Sequence, residues 1–264
     1  MKVGIIGSAG VVGSACKEGF QEVGNEVFEH DLALNTSLDA VLETEVVYIT
    51  VPSPSLEDGS CDVSIVENVI QELKIKNYAG VIAIKSTVEP GTTQKFIENY
   101  SQKICFVPEF LKERTAKEDF INHGTLIIGS SDEEITKIIS KSHGNLPEKI
   151  FSVMPTEAEM IKYFHNVFNA MRIVFANEIY EICKYESINY ENVLLGALER
   201  NDYSDSYLKV NDELRGYAGV CLPKDTKALA AYCKKKKLPL EIFKQIHESN
   251  EKLKKTVFKN MRES

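Results

Sequence analysis

Short apolar runs alternate with amphipathic segments through the first half of the chain. The runs are continuous rather than alternating with polar residues, which is typical of strands buried on both faces of a sheet. They lie at residues 2–6, 26–28, 46–51, 81–84, 104–107 and 125–128. Helix-period segments separate most of them, as at residues 12–23 and 64–73, so the pattern predicts a β-α-β order and a mostly parallel sheet.

The pattern changes near Pro155, after which apolar residues recur at helical spacing. Thr156 and Glu159 match a capping box, which predicts a helix from there to about Tyr185. The remainder also has helical periodicity, interrupted by a loop rich in Asp, Ser and Gly at residues 201–219.

This change of period predicts an α/β protein of two domains. We expect a Rossmann-like domain with a mostly parallel sheet at residues 1–154. An all-helical dimerisation domain with a long central helix is expected at residues 155–264. The central helix is apolar on more than one face, which favours burial against a second copy in a homodimer. Its apolar positions include Ile161, Phe164, Val167, Phe168, Met171, Val174 and Phe175.

The charge balance narrows the range of partners. The 264 residues carry a formal net charge of −8, which gives no attraction to nucleic acid or to an anionic membrane. The sequence shows neither an apolar stretch of about 18–20 residues nor a signal-peptide pattern at its start, so we expect a cytoplasmic protein. Six cysteines are scattered without a Cys-x-x-Cys or Cys/His cluster, which argues against disulfides and against a metal site.

A glycine-rich turn follows the first apolar run. Glycines 7, 10 and 13 have the spacing G-x-x-G-x-x-G, one residue longer than the usual dinucleotide fingerprint. The second predicted strand ends in Glu29-His30-Asp31, and an acid at this position meets the adenosine ribose hydroxyls and repels a 2′-phosphate. The expected cofactor is therefore NAD rather than NADP. The expected cofactor-binding residues here are Gly7, Gly10, Val11, Val12, Gly13 and Asp31.

Four further clusters contain residues suited to chemistry: Val51-Pro52-Ser53-Pro54, Ser86-Thr87-Val88-Glu89-Pro90-Gly91-Thr92, Pro108-Glu109-Phe110-Leu111-Lys112-Glu113 and Gly219-Val220-Cys221-Leu222-Pro223-Lys224-Asp225. The first three each follow a predicted strand. Because ligands collect at the carboxyl ends of parallel strands, these three are expected to converge beside the nicotinamide. Taken singly, each cluster is more often a simple turn than a site.

In order, these clusters resemble the UDP-glucose/GDP-mannose dehydrogenase family, whose members have V-P-T-P, S-T-V-P-P-G-T, N-P-E-F-L-R-E and C-F-P-K-D. Residues 157–166, with Asn177 and Glu178 later in the same predicted helix, are similar to the family's central helix. The resemblance covers roughly residues 3 to 253. It implies a Rossmann-like domain joined to a helical dimerisation domain.

The resemblance also implies an activity, the oxidation of a nucleotide-sugar primary alcohol to the carboxylic acid with two NAD and a cysteine-bound intermediate. Cys221 matches the family's nucleophile, and lysines 162 and 224 are candidates for favouring its thiolate. Lys162 and Asn166 share a helix face and are candidates for stabilising a developing oxyanion. The family further assigns thioester hydrolysis to Glu109, water positioning to Thr87, and a water-organising or basic role to Asp225.

The expected binding residues follow from the same resemblance. For the cofactor it adds Val51, Pro52, Ser86, Thr87 and Lys224. For the substrate it implies Glu109, Phe110, Leu111, Lys112, Lys162, Asn166, Tyr217, Gly219 and Cys221.

Three departures from the family leave alternatives open. The family has a C-terminal domain that holds much of the nucleotide, whereas this sequence stops at Ser264, so we expect a short form. Its loop P-G-x-G-F-G-G-S-C has fewer glycines here, at residues 214–221, and Asp202-Tyr203 stands where D-x-R-I is common. The alternatives are a two-electron β-hydroxyacid dehydrogenase, and an NAD-binding subunit or regulatory remnant that needs a separate nucleotide-binding chain.

Overall fold

The computed structural model describes residues 1–122, 124–200, 202 and 204–253. Its sheet has seven strands, which are β1 (Lys2–Ile6), β2 (Glu26–His30), β3 (Val46–Ile49), β4 (Val81–Ile84), β5 (Ile104–Phe106), β6 (Thr125–Gly129) and β7 (Lys149–Val153). The strand order is β2-β1-β3-β4-β5-β6-β7, and all neighbours are parallel except β5 and β6. The predicted α/β fold with a mostly parallel sheet is confirmed.

The connectivity of this sheet positions the site. The chain runs from β1 outward to β2 and then returns to the other side of β1 to form β3. The loops after β1 and β3 therefore diverge and leave a crevice at the carboxyl edge, which is where open α/β sheets bind ligands. Strands β3 and β4 have every residue buried, which accounts for their continuous apolar sequence.

Helices cover both faces of this sheet. They are α1 (Val11–Glu22), α2 (Ser64–Ile75), α3 (Thr92–Tyr100), α4 (Ala116–Ile121) and α5 (Glu133–His143). Short 3-10 turns lie at Leu32–Leu34, Leu38–Val41 and Glu113–Thr115. Two apolar clusters form the core, one containing Phe20 and Tyr48 and the other Ile49 and Phe106.

Strand β7 is the element that the apolar pattern did not predict. It lies at the edge of the sheet, and four of its five residues are exposed. Because an edge strand has one paired side and little buried surface, its sequence need not be apolar, and Lys149 and Ser152 lie within it.

The long helix α6 spans Pro155–Tyr185, as the period change predicts, but its cap differs from the expected one. Proline occupies the first helical position, where its missing N–H costs no hydrogen bond. The Glu157 carboxylate accepts the backbone N–H of Met154 at 2.8 Å, so the capping contact lies two residues earlier than predicted. Glu159, the expected partner of Thr156, contacts a different helix, as described below.

Three shorter helices follow, α7 (Tyr190–Leu198), α8 (Cys221–Lys235) and α9 (Ile242–Lys252). Between α7 and α8, the described residues contain only turns and an isolated bridge between Asn211 and Leu214. The chain forms two compact units that divide within α6. The first contains residues 1–54 and 61–162, and the second contains residues 55–60 with those from 163 onward.

Although α6 is 31 residues long, charged side chains occur along its length. No helix in the described ranges is both long and apolar enough to cross a membrane.

Candidate active site

The turn after β1 has no space for a side chain at two of its glycines. Gly7 has φ +91°, and a Cβ there would lie 2.9 Å from the backbone of Thr50. A Cβ on Gly13 would lie 2.1 Å from the Gly7 carbonyl oxygen, so both positions require glycine. Gly10 precedes α1 and caps it without a side chain, which leaves the N–H groups of the first turn, from Val11 and Val12 onward, for an anion such as a pyrophosphate.

Asp31 lies against this glycine turn. Its carboxylate accepts the backbone N–H of Ala9 at 2.8 Å and that of Ala33 at 2.8 Å. The carboxylate is therefore fixed at the end of β2, beside the crevice. The glycine turn, the start of α1 and Asp31 together fit a dinucleotide with free ribose hydroxyls.

The loops after β3 and β4 are joined by hydrogen bonds. The Ser86 hydroxyl donates to the Val51 carbonyl at 2.7 Å, which brings the expected cofactor residues of the two loops together. The buried Cys61 thiol donates to the Thr87 carbonyl at 3.3 Å. Thr87 itself is buried, and Pro52 continues the loop after β3. These two loops converge at the carboxyl edge of the sheet, as expected from strand polarity.

Glu109 and Lys162 form a buried ion pair in the first unit. The Lys162 ammonium lies 2.8 Å from Glu109 Oε1 and also donates to the Glu109 backbone carbonyl. The side chains are only 9% and 4% exposed, respectively. Burial acts to raise the pKa of the Glu109 carboxyl, but the Lys162 ammonium and the Leu111 N–H outweigh it and hold that pKa below its usual range. Glu109 is therefore a carboxylate at neutral pH.

Two of the three residues after Glu109 contact the Glu109–Lys162 ion pair. The Leu111 backbone N–H donates to Glu109 Oε2 at 2.8 Å, so both carboxylate oxygens have partners. The Lys162 ammonium also lies 5.4 Å from the centre of the Phe110 ring, within cation–π range. Lys112 is exposed, and its backbone N–H donates to Asp119 at 2.8 Å. Phe110 and Leu111 thus adjoin the ion pair, whereas the Lys112 side chain extends to solvent.

Glu159 is a site residue that the sequence pattern assigned to another role. Its fully buried carboxylate accepts the backbone N–H of Gly91 at 2.5 Å and that of Thr93 at 2.7 Å. Burial raises the pKa of this carboxyl, since the hydrogen bonds offset the desolvation only in part. Glu159 thereby caps α3 and anchors the end of the loop that carries Ser86 and Thr87.

Asn166 and Asp225 form a hydrogen-bonded pair in the second unit. The Asn166 side-chain amide donates to Asp225 Oδ2 at 2.5 Å, and both residues are buried. Lys224 approaches the other carboxylate oxygen at 3.6 Å. Three of the expected functional residues are therefore neighbours, although 59 positions of sequence separate the first two.

Cys221 is the first residue of α8. All six cysteines lie in the described part of the chain, and Cys221 is exposed while the other five are buried. A helix N-terminus stabilises a thiolate. By contrast, burial raises the pKa of the Cys16 thiol to about 11. Pro223 lies in the first turn of α8, where a missing N–H is tolerated.

The loop before Cys221 is held by side chains that the sequence analysis did not identify. The buried Asn250 amide donates to the Tyr217 carbonyl at 2.9 Å and accepts the Tyr217 N–H at 2.8 Å. Arg215 donates to Asn177 at 2.7 Å. Asn250 lies four residues after the buried Ile246, so a polar residue on the apolar face of a helix was the available signal.

Two expected substrate residues belong to this loop. The side chain of Tyr217 is buried, and burial raises the pKa of its hydroxyl to about 12. Gly219 has φ +84°, a conformation that favours glycine. Within the described residues, no group of three or more His, Cys, Asp or Glu side chains is placed to hold a metal ion.

Comparison with known proteins identifies related sequences. Residues 17–146 match the NAD binding domain of the UDP-glucose/GDP-mannose dehydrogenase family, and residues 156–252 match that family's central domain. A UDP-glucose 6-dehydrogenase of Rickettsia bellii is 30% identical over 236 residues, which cover 85% of this chain and 54% of that protein. A GDP-mannose 6-dehydrogenase of Pseudomonas aeruginosa is 31% identical over 72% of this chain and 47% of its own length. The chain thus spans about half the length of these relatives.

Solved structures of other proteins also align with this chain. A UDP-glucose dehydrogenase from Pyrobaculum islandicum aligns with a TM-score of 0.86 at 25% identity, over 95% of this chain and 68% of that one. A 3-hydroxyisobutyrate dehydrogenase from Mycobacterium tuberculosis aligns with a TM-score of 0.76 at 13% identity, over 94% of this chain and 91% of that one, a likeness of fold alone. The expected NAD-binding domain is confirmed, and the chain belongs to the UDP-glucose/GDP-mannose dehydrogenase family.

Proposed function

We propose that this protein oxidises the primary alcohol of a nucleotide-sugar to the carboxylic acid, with two hydride transfers and a covalent intermediate on Cys221. The observation that carries this proposal is the placement of Cys221, the exposed cysteine, at the first residue of α8. A simple alcohol dehydrogenase needs no such thiol, whereas oxidation from aldehyde to acid requires a nucleophile to hold the aldehyde carbon.

Each step of the proposed oxidation can be written with the Cys221 thiolate as the nucleophile. Loss of a hydride and a proton converts the alcohol to an aldehyde, and the Cys221 thiolate adds to its carbonyl carbon, breaking the carbonyl π bond. The resulting alkoxide takes up a proton to give a thiohemiacetal. Loss of a second hydride and proton gives a thioester. Water then adds to the thioester, the carbon–sulfur bond breaks, and the acid and thiolate are released. NAD, when bound, accepts the hydride at each oxidation.

Glu109 and Lys162 have the charges that this sequence of steps needs. A carboxylate held ionised by an ammonium is available to take a proton from the water that hydrolyses the thioester. The Lys162 ammonium, in turn, is suited to stabilise negative charge on a substrate oxygen. We assign the base to Glu109 and oxyanion stabilisation to Lys162.

Asn166 and Asp225 are assigned complementary roles. The Asn166 amide is oriented by its 2.5 Å bond to the Asp225 carboxylate, which fixes the remaining amide proton for donation to a substrate oxygen. Asp225 is thus proposed to hold Asn166 and to organise water. The buried Thr87 hydroxyl is proposed to position water near the cofactor loops.

The substrate class follows from relatives rather than from a bound molecule. The relatives are named for UDP-glucose and GDP-mannose, both nucleotide-sugars with a primary alcohol. We propose a nucleotide-sugar for this chain, contacted by the segment from Glu109 to Lys112 and by the loop containing Tyr217 and Gly219.

Counting NADH per molecule of substrate tests the proposed reaction. The purified protein is titrated with a panel of nucleotide-sugars and sugar phosphates, and NADH and acid are measured together. Two NADH per acid are expected, and Cys221→Ser is expected to abolish acid formation. If Cys221→Ser retained the four-electron turnover, the covalent route would be wrong. If NAD bound but nothing were oxidised, an NAD-binding subunit would be the better description.

A two-electron β-hydroxyacid dehydrogenase is the second candidate. It is favoured by the fold match to 3-hydroxyisobutyrate dehydrogenase, which extends over 91% of that chain. Such chemistry uses a lysine and an asparagine on a central helix but has no need of Cys221. One NADH per substrate, with a ketone released and Cys221→Ser fully active, would support it.

We also propose a homodimer formed through α6, the first long helix of the domain assigned to residues 155–264. The helix exposes a stripe of apolar residues at spacings of four or seven, namely Met160, Phe164, Phe168, Phe175 and Ile182. Its opposite face is already buried within the chain at Asn166, Ala170 and Asn177. An apolar stripe with this periodicity is suited to packing against the same helix of a second copy.

A further inference from the structure

The Glu159 carboxylate is fully buried, and both of its hydrogen-bond partners are backbone N–H groups. These belong to Gly91, at 2.5 Å, and Thr93, at 2.7 Å, which lie at the N-terminus of the nine-residue helix α3. No lysine or arginine in the described ranges forms an ion pair with Glu159. Burial of a carboxylate is unfavourable, and here the backbone donors, the positive end of the helix dipole and the more distant Lys95 charge offset that cost in part.

The loop that ends at Gly91 is held at both ends. At its beginning, the Ser86 hydroxyl donates to the Val51 carbonyl at 2.7 Å. At its end, Glu159 holds Gly91, which has φ +91°. Thr87 lies between these two anchors, and the side-chain position of a residue in such a short loop depends on both of them.

Glu159 also precedes Lys162 by one turn on α6. Lys162 binds Glu109 in the loop after β5, while Glu159 binds the end of the loop after β4. The first turns of α6 therefore fix two neighbouring loops of the sheet edge with respect to each other.

We propose that Glu159 is a positioning residue for the Ser86–Gly91 loop, and that it sets the place of Thr87 by holding the Gly91 and Thr93 amides. The catalytic part of this inference rests on the proposed function. Its structural part concerns the loop alone and is measurable without a substrate.

The test compares Glu159→Gln with Glu157→Gln. Glutamine has the shape of glutamate but offers an NH₂ group to one of the two N–H donors, so one bond is lost together with the negative charge. Glu157 lies on the same helix turn and accepts only the Met154 N–H, so Glu157→Gln is the matched control for loss of a cap on α6.

Three quantities are measured on each variant. Hydrogen exchange of the Gly91 and Thr93 amides is expected to accelerate by about tenfold or more in Glu159→Gln, as for one lost hydrogen bond. The Kd for NAD is expected to rise about 3–10-fold, and kcat to fall about 10–100-fold, because small displacements of a site loop are costly. Glu157→Gln is expected to leave all three within about twofold of the unchanged protein.

Unchanged amide exchange in Glu159→Gln would overturn the proposal. The proposal would also be overturned if Glu159→Gln exchanged these amides faster but had the same Kd for NAD and the same kcat as Glu157→Gln. That result would show that Glu159 has a structural role only. If the unchanged protein oxidises no sugar, the proposed function fails, while amide exchange and NAD binding still decide the role of Glu159. If Glu159→Gln does not fold, Glu159→Asp keeps the charge but shortens the reach and is expected to show the same pattern.

Discussion

The side-chain amide of Asn166 donates a 2.5 Å hydrogen bond to the carboxylate of Asp225, with both residues almost fully buried. Removal of the amide takes away the donor to the buried Asp225 Oδ2, while Lys224 stays 3.6 Å from Oδ1. Since burial of an unsatisfied polar group is costly, the pair stabilises the second unit in addition to its proposed role with substrate.

Asn166→Ala is therefore expected to lower the free energy of unfolding by about 1–3 kcal/mol. Urea denaturation measures the change, and Asn169→Ala is the control, because Asn169 lies on the same helix and its amide contacts His165 at 3.1 Å. Equal destabilisation by both variants would contradict a special contribution of the Asn166–Asp225 bond.

Glu109→Gln is expected to lower the free energy of unfolding at neutral pH by up to about 3–5 kcal/mol, because it removes the negative charge that lies 2.8 Å from the buried Lys162 ammonium. The surface pair Lys76–Asp39 provides the control. Asp39→Asn, at that exposed site, is expected to leave the midpoint of urea unfolding nearly unchanged.

The stabilisation contributed by the Glu109–Lys162 ion pair is expected to decrease at acid pH. The pKa of Glu109 is lower in the folded chain than its usual value, so the folded state binds this proton less tightly than the unfolded state. The stabilisation is present above the usual carboxyl range and disappears as the pH falls through the folded pKa. The difference in thermal stability between the unchanged protein and Glu109→Gln is accordingly expected to shrink on acidification. A difference that grew at acid pH would contradict the assignment.

Alkylation of the native protein is expected to modify Cys221 alone. It is exposed at a helix N-terminus, whereas the other five cysteines are buried and burial raises the pKa of thiols such as Cys16. Mass spectrometry after treatment with iodoacetamide measures the sites. One adduct is expected in the native protein and none in native Cys221→Ser. Labelling of Cys61 or Cys183 at a comparable rate would contradict the buried positions.

Asp31→Ala is expected to weaken NAD binding about tenfold, since the carboxylate is the expected partner of the adenosine ribose hydroxyls and also holds the Ala9 N–H. NADP binding is expected to change less, because a negative charge that repels its 2′-phosphate is removed. Calorimetry with both nucleotides measures the ratio, and Asp39→Ala is the control. Tighter binding of NADP than of NAD by the unchanged protein would show that the cofactor preference is wrong.

Charged substitutions in the apolar stripe of α6 test whether this helix forms the dimer contact. Phe164→Glu combined with Phe175→Glu places carboxylates in the proposed dimer contact, where burial of an unpaired charge prevents association. Light scattering is expected to show a dimeric mass for the unchanged protein and a monomeric mass for the variant. Ile75→Glu, at an apolar residue that is 78% exposed on α2, is expected to remain dimeric. A monomeric unchanged protein at micromolar concentration would contradict the proposal.

The sequence by itself determined the features that depend on local chemistry. The continuous apolar runs predict strands buried on both faces, and β1, β3 and β4 lie where those runs are. Gly13 is predictable from the sequence because a Cβ there would meet the backbone of its own turn, at Gly7 and Ser8. The acid at position 31 predicts the cofactor through its charge, whereas the chemistry at Cys221 is what the ordered clusters imply by resemblance.

Only the tertiary structure decided which partners the polar groups take. The spacing of Thr156 and Glu159 fits a capping box, yet Glu159 contacts α3 and Glu157 makes the cap. Asn250 holds Tyr217, which lies 33 positions earlier in the chain, and β7 is a strand because β6 pairs with it. A carboxylate or amide can satisfy many donors, and a strand edge can accept many neighbours. The partner is therefore chosen by which groups the packed core brings within about 3 Å, a distance that no local pattern in the sequence specifies.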